Sequence, residues 1–288
     1  MIQLKRMKIL IVGLGQIGGS LGMDLIKRKI VNEVSGYDIN SSIARMARKF
    51  GAITHISPQL IPSVPKADLV ILATPIRQTI KILLTVLPVV NTNACVIDMA
   101  GTKSEILKTV NSYSLSVNYI SCHPIAGTEG QGIEAARPNQ FRDSFFAMTI
   151  KNNTSKEWID TITLLTKKLG AKPFVIDPET HDKNISLTSH LPYLMSIALT
   201  SLIGQQDSNS RSLTKMLGGS FKSATRVAQS SPELSLDMFM SNRENVIKTI
   251  GQFSSELKKI KRLIESGNEI ELKRIIKAAN KIAIILNS

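Results

Sequence analysis

Only two cysteines occur in 288 residues, which excludes a disulfide framework and any metal centre built on several thiolates. Cys95 and Cys122 both lie in apolar, strand-like stretches. They are expected as small buried residues in a reducing, cytoplasmic setting, and no metal site is expected elsewhere. A nucleophilic pair of Cys122 with His123 is disfavoured, because neighbours along a strand point to opposite faces. Aromatic residues are scarce too, at 5% with a single tryptophan. Neither a zinc-finger spacing nor an RNP-like aromatic strand is present. Long apolar runs are missing: none approaches the ~18 residues of a spanning helix. The basic start, MIQLKRMKILIVGLG, has too short an apolar stretch for a signal peptide and no cleavage site after it. No membrane partner is expected.

Acidic residues are also in deficit, 22 against 36 lysines and arginines, for a formal net charge of +14. The excess is spread as lysine along helical segments such as ELKKIKRLIESG and ELKRIIKAANK, alternating with leucine and isoleucine. That pattern describes solvated helix faces rather than a nucleic-acid footprint, and it leaves a small anionic substrate as the expected partner.

What is present begins with a strand, KILIV, followed directly by GLGQIGGSL. Gly13, Gly15 and Gly18 fall at GxGxxG spacing between that strand and a helix, with Gln16 and Ile17 inside the motif. A second strand, Glu33 to Tyr37, ends at Asp38, about twenty residues after the glycines, where a dinucleotide fold places the acid that holds the ribose hydroxyls. NAD is the expected cofactor, since Asp38 would repel a 2′-phosphate and no arginine follows until Arg45; NADP is the weaker alternative. A purely structural acid in the turn DINSS is the competing account of Asp38.

Further apolar runs, DLVILATP and ACVIDMAG, alternate with helical segments, the signature of a doubly wound parallel sheet. The carboxyl ends of those strands deliver Thr74 and Pro75, then Asp98 to Lys103, then His123. Ligands bind at such ends. Beyond Pro178 the apolar patterns are helical. The expected fold class is therefore α/β, an N-terminal Rossmann-type doubly wound parallel sheet with an all-helical C-terminal domain, divided as 1–177 and 178–288. Asn268 with Glu271 resembles a capping box opening the last helix.

The loop HPIAGTEGQG has too little apolar bulk for core and too many turn formers for a helix, which makes His123 the first candidate for chemistry. His55 lies in a turn-like stretch, His181 stands beside Asp182 at a helix start, and His190 sits among apolar helix neighbours, as a packed residue or a secondary site residue.

HPIAGTE, SHLP and GGSFKSATRVAQSSPEL together resemble the prephenate and arogenate dehydrogenase family of tyrosine biosynthesis. Tyr193 after SHLP, with the run EGQGIEAA, is most like the cyanobacterial-type arogenate enzymes. The resemblance implies NAD-dependent oxidative decarboxylation of a cyclohexadienol, with His123 as the catalytic histidine and Arg226 as the carboxylate-binding guanidinium. It also implies substrate contacts from His190, Tyr193, Glu129 and Gly219. Where the family has a serine this chain has Gly101, and Thr102 is the expected substitute; Ser223 stands where the family has an acid. Rival readings are a hydroxyacid or imine-type reductase of the same architecture and a non-catalytic NAD-binding regulatory subunit. Apolar stripes carried by Leu257, Ile260, Leu263 and Ile264, and by Leu272, Ile275, Ile276, Ala279, Ile282, Ala283 and Leu286, are broad enough to imply a homodimer through the helical domain.

The Asp38 assignment predicts that the wild type turns over faster with NAD than with NADP, and that Asp38→Ser narrows the preference. Initial rates with the two cofactors check it; a wild type that favours NADP contradicts it.

Overall fold

The computed structural model describes residues 3–113, 117–126, 130–205 and 215–286. Its strands β1 (Ile9–Val12), β4 (Leu69–Leu72) and β5 (Cys95–Asp98) are buried at every position. Strands with no polar face must be covered on both sides, which is the condition for a parallel sheet between two helical layers. Five parallel pairings result, joining β2 (Val34–Tyr37), the edge pair β3 (His55–Ile56) and β6 (Asn118–Pro124) to these three. β7 (Phe145–Ile150) then pairs antiparallel with β6, and β8 (Lys172–Val175) pairs parallel with β7. The order is β3-β2-β1-β4-β5-β6-β7-β8. His55 thus belongs to a short edge strand rather than to a turn.

The alternation along β1 sorts its side chains into two layers. Ile9 and Ile11 pack with Leu21 and Leu25 of α1 (Gln16–Lys27) and with Trp158 and Ile162 of α5 (Lys156–Lys168). Leu10 and Val12 pack with Leu83 and Val86 of α3 (Ile76–Val86) and with Ile106 and Val110 of α4 (Ser104–Asn111). α2 (Ser41–Lys49) is capped by Asn40, whose side chain accepts from Ser42 N. Chain order reverses between β1 and β4, which opens a crevice at their carboxyl ends.

After β8 the described elements are helical. α6 (Pro178–Ile185) starts where Asp177 Oδ1 accepts from Thr180 N at 2.8 Å. The apolar pattern predicts one continuous helix from here to Gly204, but a π-helical turn, Ser186–His190, separates α6 from α7 (Leu191–Gly204). Pro192 explains it: proline has no N–H for the carbonyl four residues back and its ring presses on that carbonyl, so the preceding turn widens. α8 (Gly219–Thr225), the 3-10 turn Arg226–Gln229 and α9 (Pro232–Ser241) complete this part.

Compactness divides the chain into Met1–Asn242 and Arg243–Ser288. The expected boundary at 177/178 is where strands give way to helices; α6 to α9 nevertheless fold in one unit with the sheet. The second unit is a helical pair, α10 (Arg243–Glu265) and α11 (Glu269–Leu286). Gly267, at φ +62°, ends the first, and Asn268 Oδ1 accepts from Glu271 N at 3.1 Å to start the second. No described helix is long and apolar enough to cross a membrane.

The glycine motif divides its labour visibly. Gly13 has φ +89°, and a Cβ there would lie 2.6 Å from Ala73 O. A Cβ on Gly18 would collide with the Gly13 carbonyl, whereas one on Gly15 would meet nothing within 4 Å. Gly18→Ala should therefore cost about 1–3 kcal/mol of stability. Gly15→Ala should stay within about 0.5 kcal/mol of wild type. Urea unfolding midpoints decide it: an unchanged Gly18→Ala midpoint contradicts the packing role.

Candidate active site

The crevice at the carboxyl ends holds a cavity of about 440 Å³, lined on one side by Gln16, Ile17, Thr74 and Pro75 and on the other by His123 and His190. Gln16 and Ile17 open α1, Thr74 and Pro75 follow β4, His123 lies near the end of β6 and His190 closes the π turn. π-helical turns recur at functional sites.

On the dinucleotide side, α1 begins at Gln16 with Gly15 as an N-cap that has no side chain to offer its N–H groups. The open space over Gly15, beside the tight turn at Gly13, is the cradle a diphosphate needs: exposed amides, a helix N-terminus and no Cβ in the way. Asp38 holds this cradle in shape. Its Oδ2 accepts from Leu14 N and its Oδ1 from Asn40 N, both at 2.9 Å. Both bonds are to backbone amides, as the structural account of Asp38 describes, one oxygen closing the DINSS turn and the other anchoring the glycine loop. Thr74 Oγ1 shares a hydrogen bond with Thr79 Oγ1 at 2.8 Å, and Pro75 caps α3. Together these residues fit NAD.

On the opposite side His123 is held from behind. Its Nδ1 lies 3.0 Å from His181 Nε2, and His181 Nδ1 lies 2.8 Å from Asp182 Oδ1. The Asp182 carboxylate also accepts from Lys103 N and Ser104 N, each at 2.8 Å, which caps α4. Burial pushes the Asp182 carboxyl up, but hydrogen bonds from His181, Ser104 and Lys103 outweigh it and hold the group below its ordinary value. His123 is held well below the usual histidine range, first by burial and then by Lys103, His181 and His190. Lys103 is itself fully buried; its ammonium donates to Asp98 Oδ1 at 3.1 Å, Ser121 Oγ at 2.9 Å and Cys122 O at 2.7 Å. The other Asp98 oxygen accepts from Tyr119 Oη at 2.6 Å. His190 is lowered to about 4, chiefly by burial. Its Nδ1 faces Asn242 Nδ2 at 3.3 Å. An amide donor there puts the ring hydrogen of neutral His190 on Nε2.

The expected residues sort unevenly. His123, His190, Gln16, Ile17, Thr74 and Pro75 come together around the cavity. Thr102 does not partner His123: its hydroxyl donates to Ser241 Oγ at 3.0 Å, and the partner is His181. Gly101 lines the cavity, and a Cβ on it would lie 4.0 Å from His123 Nε2. Glycine therefore leaves that nitrogen facing the open space. Tyr193 on α7 accepts from Ser230 Oγ at 3.3 Å, away from the cavity wall. Arg226 is exposed at the start of its 3-10 turn, and Gly219 opens α8; neither lines the cavity. Glu129 lies outside the described residues. His181 and Asp182 were not expected in the site. The available signal was an adjacent His-Asp pair in the first turns of the first helix after the sheet. Both cysteines are free and buried, and burial pushes the Cys122 thiol up, so it is no nucleophile. No group of three or more potential metal ligands occurs among the described residues.

Comparisons with known proteins agree with this geometry. Residues 21–175 match the family model described as prephenate dehydrogenase, nucleotide-binding domain, and residues 177–278 match prephenate dehydrogenase, dimerization domain. The prephenate dehydrogenase of Bacillus subtilis is 28% identical over 273 residues, 94% of this chain and 74% of that one. The crystal structure of prephenate dehydrogenase from A. aeolicus, in complex with hydroxyphenyl propionate and NAD+, superposes with a TM-score of 0.91 at 29% identity, covering 98% of both chains. Synechocystis arogenate dehydrogenase gives 0.82 at 28% identity over 97% of this chain and all of that one, 100%. With the histidine loop inside the first matched segment and the π turn inside the second, the chain belongs to the prephenate dehydrogenase family.

Proposed function

We propose that this chain is an NAD-dependent prephenate/arogenate dehydrogenase, which converts a cyclohexadienol to a phenol by oxidative decarboxylation in tyrosine biosynthesis. One observation carries the reading: a neutral, half-buried imidazole, His123, shares a cavity with a glycine cradle that fits a dinucleotide. The reaction takes away the C4 hydride and the ring carboxylate, with the 4-hydroxyl proton lent to a base and then returned, and aromatisation drives it. Bound NAD supplies the hydride acceptor, held by Gly13, Gly15, Gly18, Gln16, Ile17, Asp38, Thr74 and Pro75.

The rest falls to the protein. His123 Nε2, on the side of Gly101, accepts the 4-hydroxyl proton. Desolvation and the Lys103 charge keep the ring neutral at physiological pH, which leaves a lone pair free to accept that proton. His190, with its hydrogen on Nε2, supplies a donor on the same wall. Arg226 is assigned to a substrate carboxylate, because a guanidinium stays charged and binds carboxylates bidentately. Its turn is pinned to α7, the helix that follows His190, where Ala228 N donates to Ser196 Oγ at 3.0 Å. Tyr193 lies on α7 and Gly219 opens α8, which leads into that turn, and Thr102 ties the loop before α4 to the end of α9. The setting assigned is the cytoplasm, consistent with two free, buried thiols.

Residues 178–288 are assigned as the substrate-binding and dimerisation domain of a homodimer. Support comes from the matched dimerization-domain description and from apolar side chains exposed on one chain, among them Leu202 at 55%, Ile264 at 63% and Ile285 at 72%.

Two measurements test these assignments. NADH formation is followed with prephenate and with arogenate; wild type turns over at least one, and His123→Asn lowers kcat by about 10²–10⁴-fold with NAD affinity nearly unchanged. Ordinary turnover by that variant ends the His123 assignment. Light scattering at micromolar concentration should give the mass of two chains, reduced to one by Ile275→Glu with Ile282→Glu. A wild-type mass of one chain refutes the dimer.

A further inference from the structure

We infer that His181 and Asp182 form a proton store behind His123, a positioning and relay pair for the reaction proposed above, on which the inference rests. The balance of that reaction calls for such a store. The hydride carries two electrons away from C4, and the departing CO₂ leaves its bonding pair in the ring. The product is a neutral phenol, so the oxygen that gives up its proton must receive one back. The proton is borrowed for part of each turnover and is not discarded. His123 is a poor place to keep it, half-buried and close to the Lys103 ammonium, whose own carboxylate partner is Asp98.

The geometry supplies a better place. Asp182 accepts backbone amides on both oxygens, from Lys103 N at Oδ1 and Ser104 N at Oδ2, and its carboxylate has no hydrogen to give. His181 Nδ1, 2.8 Å away, must therefore be the donor of that pair. In neutral His181 this leaves a lone pair on Nε2, so His123 Nδ1, at 3.0 Å, carries its ring hydrogen and His123 Nε2 is the acceptor. One carboxylate thus dictates the tautomers of two rings. When the substrate O–H bond breaks and His123 Nε2–H forms, the His123 Nδ1–H bond can break as His181 Nε2–H forms. The positive charge then rests on His181 against Asp182, with side-chain exposures of 3% and 2%. After CO₂ leaves, the same two transfers run backwards and return the proton to the phenolate oxygen. Atoms and charge balance without solvent.

Two variants separate holding from storing. His181→Gln still offers a carbonyl oxygen to His123 Nδ1–H but cannot take up a proton; His181→Phe offers neither. Imidazole ¹⁵N spectra of the wild type, which need no substrate, should show hydrogens on Nδ1 of both His123 and His181. The His123 assignment should persist in His181→Gln. Both variants should bind NAD within about 3-fold of wild type, with kcat reduced about 10-fold or more in His181→Gln and about 100-fold or more in His181→Phe, and with little change in KM. Spectra that place the His123 hydrogen on Nε2 overturn the relay, as does a kcat in His181→Gln within about 2-fold of wild type. A wild type inert on both cyclohexadienols overturns the functional reading instead, and the spectra still decide the tautomers. Should His181→Phe fail to fold, the spectra and His181→Gln decide.

Discussion

The Asp182 carboxylate is the constraint on which the site depends. It closes the open N-terminus of α4, where Lys103 and Ser104 donate to it, and it holds the ring of His181. Its backbone carbonyl is fixed as well, by Asn242 Nδ2 at 2.7 Å. A buried amide without an acceptor costs about 1–3 kcal/mol, so the strand-end loop, α6 and the histidine pair are bound into one arrangement. A helix cap of this kind is an ordinary structural device. Here the same atoms also set the chemistry of the imidazole that faces the cavity.

A second buried charge works in the opposite sense. Lys103 is enclosed completely, which is tolerable only because three acceptors surround its ammonium. Its field, added to desolvation, disfavours an imidazolium at His123. The result is a base that is neutral when substrate arrives, beside a carboxylate that can compensate charge one ring further back. Paired environments that push neighbouring groups in opposite directions are a general route to acid–base function at one pH.

Much of this was legible in the sequence because it depends on local pattern. Glycine spacing, strand alternation and the abrupt loop after His123 each follow from backbone sterics within a few residues. What escaped depends on where a side chain points after the fold closes. Thr102 is next to the expected serine position, yet its hydroxyl reaches Ser241, because adjacent residues leave the backbone in different directions. His181 lies 58 residues from His123 in the chain, and only the pairing of sheet and helix brings them together. The π turn hides behind an uninterrupted apolar pattern, since Pro192 acts on hydrogen bonding rather than on hydrophobicity. The C-terminal stripes were legible as apolar faces, but a pattern of one chain does not name what covers them.

The central claim is that the imidazole, the glycine cradle and the cavity between them serve an oxidation coupled to loss of a carboxylate. The most direct measurement uses a cyclohexadienol labelled with ¹³C in the ring carboxylate and compares labelled CO₂ with NADH formed over the same interval. The account predicts one CO₂ for each NADH. NADH formed while the label stays in the organic product would contradict it.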